Sequence, residues 1–285
     1  MTAISPRNEN DNVTRLFQDR NHVIVMGVVN VTPDSFSDGG KYLHTGKAVD
    51  HALKLVDEGA DIIDIGGEST RPGSDVVSVD VELYRVMGVV EGAAAMCQVP
   101  ISIDTYKADV ARMAVSAGAT IINDITGLVG DAGLAPTVAE LDAGLILMHK
   151  RGNPKDMQTN TLYEDMIGEI KQFLAAAVTK ATTAGVCADR IMIDPGIGFG
   201  KDLEGNLEII RSVKYFTEIG RPVLIGASRK SFIGQITGAD PDNRLPGSVA
   251  AAVAAVLNGA AAVRVHDVAA TRQAVDVAVR LRQGN

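Results

Sequence analysis

Ile101-Ser-Ile-Asp-Thr-Tyr-Lys-Ala-Asp-Val-Ala-Arg-Met-Ala-Val-Ser-Ala-Gly118-Ala-Thr-Ile-Ile-Asn-Asp124 holds the repeating unit of this chain. A short apolar run ends on a carboxylate, and helical sequence follows. Gly118 then stands where a helix C-cap needs a left-handed residue, and a second apolar run ends on an amide and a carboxylate. The same unit recurs on both sides. Val23 to Met26, Ile62-Ile63, Leu145 to Met148, Ile191 to Ile193, Val223 to Ile225 and Val263 to Val265 are further apolar runs without polar alternation. Such runs fit parallel strands covered on both faces. Helical periods lie between them: Val49, Ala52, Leu53 and Val56; Leu83, Val86, Met87 and Val90; Met166, Ile170, Phe173, Leu174 and Ala177. Gly59, Gly144, Gly185, Gly220 and Gly259 repeat the role expected of Gly118.

Eight strands, each followed by helical sequence, predict an α/β fold of one domain, a (β/α)8 TIM barrel. A doubly wound open sheet is the alternative. No linker-like or low-complexity stretch divides the 285 residues. Residues 1–22 read as a polar N-terminal extension and 23–285 as the barrel.

Composition narrows the function. Hydrophobic residues make up 46% and charged residues 22%, enough for a sizeable core. A net charge of -8 argues against nucleic acid or an anionic membrane surface as partner. An anionic substrate must therefore meet a local cluster of cations. Cys97 and Cys187 fit no metal spacing and read as buried small apolar residues of a reducing compartment. With no secretion signal and no membrane-length apolar run, the expectation is a soluble, cytoplasmic protein.

In a parallel barrel the loops after the strands build the active site, and the unusual residues collect there. The first run is followed by Asn30 to Gly40 and the second by Gly66 to Gly73. The third ends at Asp104, the fourth at Asn123-Asp124, the fifth at His149 and the sixth at Asp194. The seventh is followed by Ser228-Arg-Lys-Ser231, and the last carries Arg264 and His266. Asp104, Asn123 and Asp194 at the mouth of an apolar barrel need partners. The 2-amino-pyrimidinone edge of a pterin or purine would supply them, although each acid alone also reads as a structural hydrogen-bonder, Asp124 most of all. Arg71, Arg229, Lys230, Arg264 and His266 form the opposite charge set, suited to phosphate. Gly196-Ile-Gly-Phe-Gly200-Lys201 fails as a Walker loop, since Pro195 and Asp202 stand at two of its required positions. It reads as a tight backbone turn around a ligand. The histidines show no metal-cage spacing.

Two long segments carry a family resemblance: Met26-Gly-Val-Val-Asn-Val-Thr-Pro-Asp-Ser-Phe-Ser-Asp-Gly-Gly40 and Asp64-Ile-Gly-Gly-Glu-Ser-Thr-Arg-Pro-Gly-Ser74. Together with Asp194 to Lys201, Ser228 to Gly234 and Arg264 to Val268, they resemble the signatures of dihydropteroate synthases. The resemblance implies a homodimeric barrel that joins 6-hydroxymethyl-7,8-dihydropterin pyrophosphate to p-aminobenzoate, and that sulfonamides inhibit. It implies that Asp104, Asn123, Asp194 and Lys230 read the pterin, and that Asn30 ligates Mg²⁺. Thr70, Arg71, Arg264 and His266 would hold the pyrophosphate. Phe36, Pro72 and Ser231 would line the p-aminobenzoate pocket, with its carboxylate at the helix starting near Lys230. Asp38, Arg71 and Lys230 are the expected catalytic residues, Asp38 steadying positive charge on the pterin methylene. Lys150 stands where the family often has methionine, and Asp202 where it often has threonine. A pterin-binding methyltransferase-like domain, which has no need of a pyrophosphate clamp, and a non-catalytic paralogue are the alternatives.

Overall fold

In a computed structural model, residues 7–32, 41–69, 73–152 and 160–283 are described. Phe36, Asp38, Thr70, Arg71 and Pro72 lie outside them. Eight parallel strands run β1 (Ile24–Asn30), β2 (Ile62–Gly66), β3 (Ile101–Asp104), β4 (Ile121–Asp124), β5 (Gly144–Met148), β6 (Ile191–Asp194), β7 (Leu224–Ile225) and β8 (Ala262–Val265). Their sheet order, β6-β5-β4-β3-β2-β1-β8-β7, follows the sequence around a ring. A parallel bridge between Ile193 and Val223, with Ile193 N–H donating to Pro222 O at 3.0 Å, joins the two ends of that order. This closure is what a doubly wound open sheet lacks, and it rules that alternative out.

The helices are α1 (Arg7–Gln18), α2 (Lys41–Asp57), α3 (Val79–Met96), α4 (Ala108–Ser116), α5 (Leu134–Glu140), α6 (Met166–Thr183), α7 (Leu203–Arg211), α8 (Val213–Thr217), α9 (Ser231–Thr237), α10 (Leu245–Leu257) and α11 (Val268–Gln283). Both β6 and β7 are followed by two helices rather than one. The outer core lies between strands and helices, where Ile63, Ile65, Ile103, Ile122, Leu145 and Leu147 meet Val86, Val90 and Ala93 of α3 and their equivalents. Alternate strand residues point the other way, into the lumen. Ile24, Met26, Ile62, Ile121, Ile146, Met192, Leu224 and Ala262 fill its lower part as one apolar cluster.

That cluster includes Val13 and Phe17 of α1. The polar-looking N-terminal segment is thus an amphipathic helix that stops the bottom of the barrel. Arg190 Nε, donating to Thr14 Oγ1 at 2.9 Å, ties it to the turn before β6. Val13→Ala removes two buried methyl carbons and should cost roughly 1.5 kcal/mol. The expected result is a lower thermal midpoint with catalysis intact at permissive temperature, and an unchanged midpoint would mean that α1 adds nothing to the core.

Gly144 does a different job from the one its spacing suggests. The left-handed residue after α5 is Asp142, with φ 52°. A Cβ at Gly144 would lie 2.8 Å from Val13 Cγ1, so the glycine makes room for the helical plug. Gly59, Gly118, Gly185, Gly220 and Gly259 do take positive φ, as expected. The cysteines also depart from expectation: Cys187 is exposed, and Cys97, which caps α3, is only partly buried. Among the described residues, no helix is long and apolar enough to cross a membrane.

Candidate active site

Two residues above the apolar floor, the same inward-facing positions turn polar: Asp64 on β2, Asn123 on β4, Asp194 on β6 and Arg264 on β8. Asp104 joins them from β3, paired in the β-ladder with Asn123 on one side and with Gly66, two residues beyond Asp64, on the other. Arg264 donates from Nη2 to Asp104 Oδ2 at 2.8 Å and from Nε to Asp64 Oδ2 at 2.7 Å. The guanidinium therefore points inward, as its place in an apolar strand predicts. Asp194 Oδ1 accepts Gly196 N–H at 2.7 Å. Lys230, capping α9 from the loop after β7, extends over the Phe199 ring, 4.1 Å from its centroid. Inward-facing Gly66 and Gly226 keep the walls low. A Cβ on Gly226 would come 3.8 Å from Arg264 Cβ and 3.9 Å from Asp194 Oδ2, in contact with both side chains. Ile125, Met148 and Phe199 form a small buried apolar cluster beside it.

The charges are tuned by the lack of water. Burial raises the Asp104 pKa to about 7, against the opposing pull of Arg264. Burial raises that of Asp194 to about 6 and lowers that of Lys230 to about 8. These groups exchange protons within two units of neutrality, as groups at functional sites often do.

Two members of the expected cation set behave otherwise. Arg229 turns away and forms a two-pronged pair with Asp267, Nε–Oδ2 3.0 Å and Nη2–Oδ1 2.6 Å. His266 is neutral, because burial first and the Arg264 charge second lower its pKa to about 4. Ser228 Oγ accepts the His266 N–H at 3.2 Å and lies 3.0 Å from Nδ1. In the tautomer in which the Ser228 hydroxyl donates to Nδ1, Nε2 carries the ring proton. His266 thus offers a hydrogen bond rather than a charge.

Asp124 is structural. Its carboxylate accepts Thr126 N–H and Oγ–H at 2.7 Å each and Leu128 N–H at 2.6 Å, shaping the loop after β4. The glycine turn after β6 wraps the buried Lys201 side chain and packs against Lys230. Gly196, Gly198 and Gly200 have φ of 75°, 83° and 72°. Buried Lys201 donates to Pro195 O and Gly196 O at 2.9 Å each and lies 2.8 Å from His149 Nδ1. Asp202 caps α7 by accepting Gly205 N–H at 2.8 Å, a task threonine also performs. Asn30 ends β1 half-buried on the inward register, and Ser231 is exposed at the start of α9.

Sequence reading passed over Asp64, Phe199 and the ion cluster of Glu68, Glu82 and Lys107. Lys107 Nζ reaches Glu68 at 2.6 Å, Glu82 at 2.5 Å and Val77 O at 2.8 Å, tying Glu68 of the second signature segment to the chain that follows it. A glutamate on the buried face of α3 was the available signal, since a buried acid requires a partner.

A deep polar layer in a barrel lumen marks the site of a barrel enzyme, and the family it matches gives the class: pterin-binding enzymes. The family model described as "Pterin binding enzyme" matches residues 26–266. The chain is 46% identical over 264 residues to the dihydropteroate synthase of Synechocystis sp., covering 92% of this chain and 91% of that one. The dihydropteroate synthase of Xanthomonas albilineans, solved with 4-aminobenzoic acid, matches at TM-score 0.86 and 45% identity over 92% of this chain and 93% of that one. The Yersinia pestis dihydropteroate synthase, solved as a sulfonamide drug complex, matches at TM-score 0.88 and 41% identity, covering 93% and 96%. The chain belongs to the dihydropteroate synthase family, whose members are transferases.

Proposed function

We infer that this chain condenses 6-hydroxymethyl-7,8-dihydropterin pyrophosphate with p-aminobenzoate, releasing pyrophosphate and 7,8-dihydropteroate in folate synthesis. The observation that carries this reading is the convergence of Asp104, Asn123, Asp194 and Lys230 on one lumen, with Arg264 and His266 beside them. Asp104, Asn123 and Asp194 accept from the amino-pyrimidinone edge, and Lys230 donates to the ring's acceptor side. Arg264 and the Nε2–H of His266 bind the pyrophosphate and stabilise the charge that grows as it leaves. Thr70 and Arg71 join them, while Phe36, Pro72 and Ser231 line the p-aminobenzoate pocket, which sulfonamides also enter. Asp38 steadies positive charge at the pterin methylene.

Mg²⁺ belongs to the same reading. Among the described residues, no three His, Cys, Asp or Glu side chains are grouped to hold a metal. An ion here would share its coordination with substrate oxygens and water, which suits Mg²⁺ and needs only one protein ligand. The Asn30 amide oxygen, at the lumen end of β1, fits that role. When bound, the ion supplies positive charge to the pyrophosphate oxygens. A cytoplasmic homodimer completes the proposal. Val277 and Leu281, exposed one turn apart on α11, support a self-associating face.

Purified protein given both substrates should form dihydropteroate, and omission of either should abolish the product. Sulfonamide should compete with p-aminobenzoate. Tight pterin pyrophosphate binding without any product would instead make the chain a non-catalytic paralogue.

The pKa values give this reading a pH signature. Pterin binding needs Asp104 and Asp194 as acceptors, so affinity should fall as pH drops through about 7 to about 6. It also needs the Lys230 ammonium, so affinity should fall again above about 8. The expected profile is a bell with its maximum near neutrality, whose limbs belong to the linked set rather than to single residues. Titration of pterin dissociation constants from pH 5 to 9.5 checks it, and a flat profile would remove these groups from recognition.

A further inference from the structure

Asp64 carries no role in the reading so far, yet it is the most deeply buried acid of the lumen. It is fully shielded from solvent in the middle of β2, flanked by Ile63 and Ile65, which face the helices. A carboxylate there is costly unless it is paired. Its Oδ2 is crowded with donors: Arg264 Nε at 2.7 Å, Arg264 Nη2 at 2.6 Å and Asn123 Nδ2 at 3.2 Å. One oxygen thus touches two of the groups assigned to substrate.

The consequences for those two groups are geometric. A guanidinium pinned through Nε and Nη2 by Asp64, and through Nη2 again by Asp104, cannot rotate about its long axis. Its remaining N–H edge is left for an incoming anion. Asn123 is fixed in a different sense. Because its Nδ2 donates downward to Asp64, its Oδ1 faces the pocket as an acceptor. An amide turned the other way would present a donor to the donor edge of the ring. Neither Arg264 nor Asn123 can choose this orientation by itself, because both act from strands on other sides of the lumen.

We propose that Asp64 is a positioning residue: it sets the plane of Arg264 for the pyrophosphate and the acceptor sense of Asn123 for the pterin, without touching substrate. The proposal rests on the reading of Arg264 given above. It makes Asp64 and Arg264 one functional unit, so their effects on catalysis must overlap.

The test is a double-mutant cycle in the full-length protein, with Asp64→Asn as the isosteric change. Dihydropteroate formation is followed for wild type, Asp64→Asn, Arg264→Ala and the double variant, each first shown by circular dichroism to be folded. Asp64→Asn should lower kcat/KM for the pterin pyrophosphate by about tenfold to a hundredfold. In the Arg264→Ala background the same change should cost no more than about threefold, since the guanidinium is gone and an amide oxygen at position 64 can still accept from Asn123. A crystal structure of Asp64→Asn should show the guanidinium rotated out of its present plane. If the two losses simply multiply and the guanidinium has not moved, the positioning role is wrong while the pyrophosphate reading stands. If Arg264→Ala alone is as active as wild type, the pyrophosphate reading fails. The guanidinium plane in the Asp64→Asn structure then decides the positioning claim by itself, rotation supporting it and an unmoved plane overturning it.

Discussion

Arg264→Ala should cut dihydropteroate formation at least about a hundredfold, equivalent to roughly 2.7 kcal/mol of transition-state stabilisation. The size follows from where the guanidinium sits. It lies between two buried carboxylates in a lumen whose neighbouring imidazole is neutral, so His266 cannot replace its charge. Arg229, close in sequence to Lys230, is committed to Asp267 and cannot stand in either. A lost cation in a dry site is not made up by solvent. Arg264→Lys should recover only part of the rate, because a point charge lacks the planar fork. The comparison requires the variant to stay folded, since removing Arg264 leaves Asp64 and Asp104 without their partner. Initial rates at saturating p-aminobenzoate, read beside thermal melts, separate the two effects. A folded Arg264→Ala variant working at the wild-type rate would remove Arg264 from the reaction.

Asp194→Asn should weaken pterin binding about tenfold to a hundredfold, the worth of a charge-assisted hydrogen bond of roughly 1.5 to 3 kcal/mol. Geometry decides which face of the new amide meets the ring. Gly196 N–H already requires an acceptor at 2.7 Å, so the asparagine oxygen stays there. Its NH2 group is then turned toward the pocket, a donor set against a donor edge. The substitution keeps shape and volume, so folding should be spared. Calorimetry with a pterin lacking the pyrophosphate isolates this contact from the leaving-group side. Unchanged affinity in a folded variant would take Asp194 out of the site.

Much of this was legible in the sequence because a closed parallel barrel writes its plan along the chain. Strands covered on both faces need apolar runs, and the active end needs polar residues just beyond them. Ile101 to Asp104 and Ile121 to Asp124 therefore showed both strand and site at once. Arg264 was legible for the opposite reason, as a cation that an apolar strand cannot hold without purpose. What stayed hidden depends on partners far apart in the chain. Asp64 and Arg264 are 200 positions apart, and nothing local tells that one carboxylate serves the other. The same limit made Arg229 look equivalent to Arg264, until its pairing with Asp267 set it apart. The α1 plug was missed because only Val13, Leu16 and Phe17 carry its apolar face in an otherwise polar segment. Gly144 was misassigned with it, since its small size answers to Val13 rather than to a helix end.

A crystal structure of this protein with 6-hydroxymethylpterin and pyrophosphate tests the central claim most directly. The ring should lie between Asp194 and Arg264, its amino-pyrimidinone edge within hydrogen-bond reach of Asp104, Asn123 and Asp194, with pyrophosphate against Arg264 and His266. Pterin bound elsewhere, or pyrophosphate turned away from Arg264, would contradict the account.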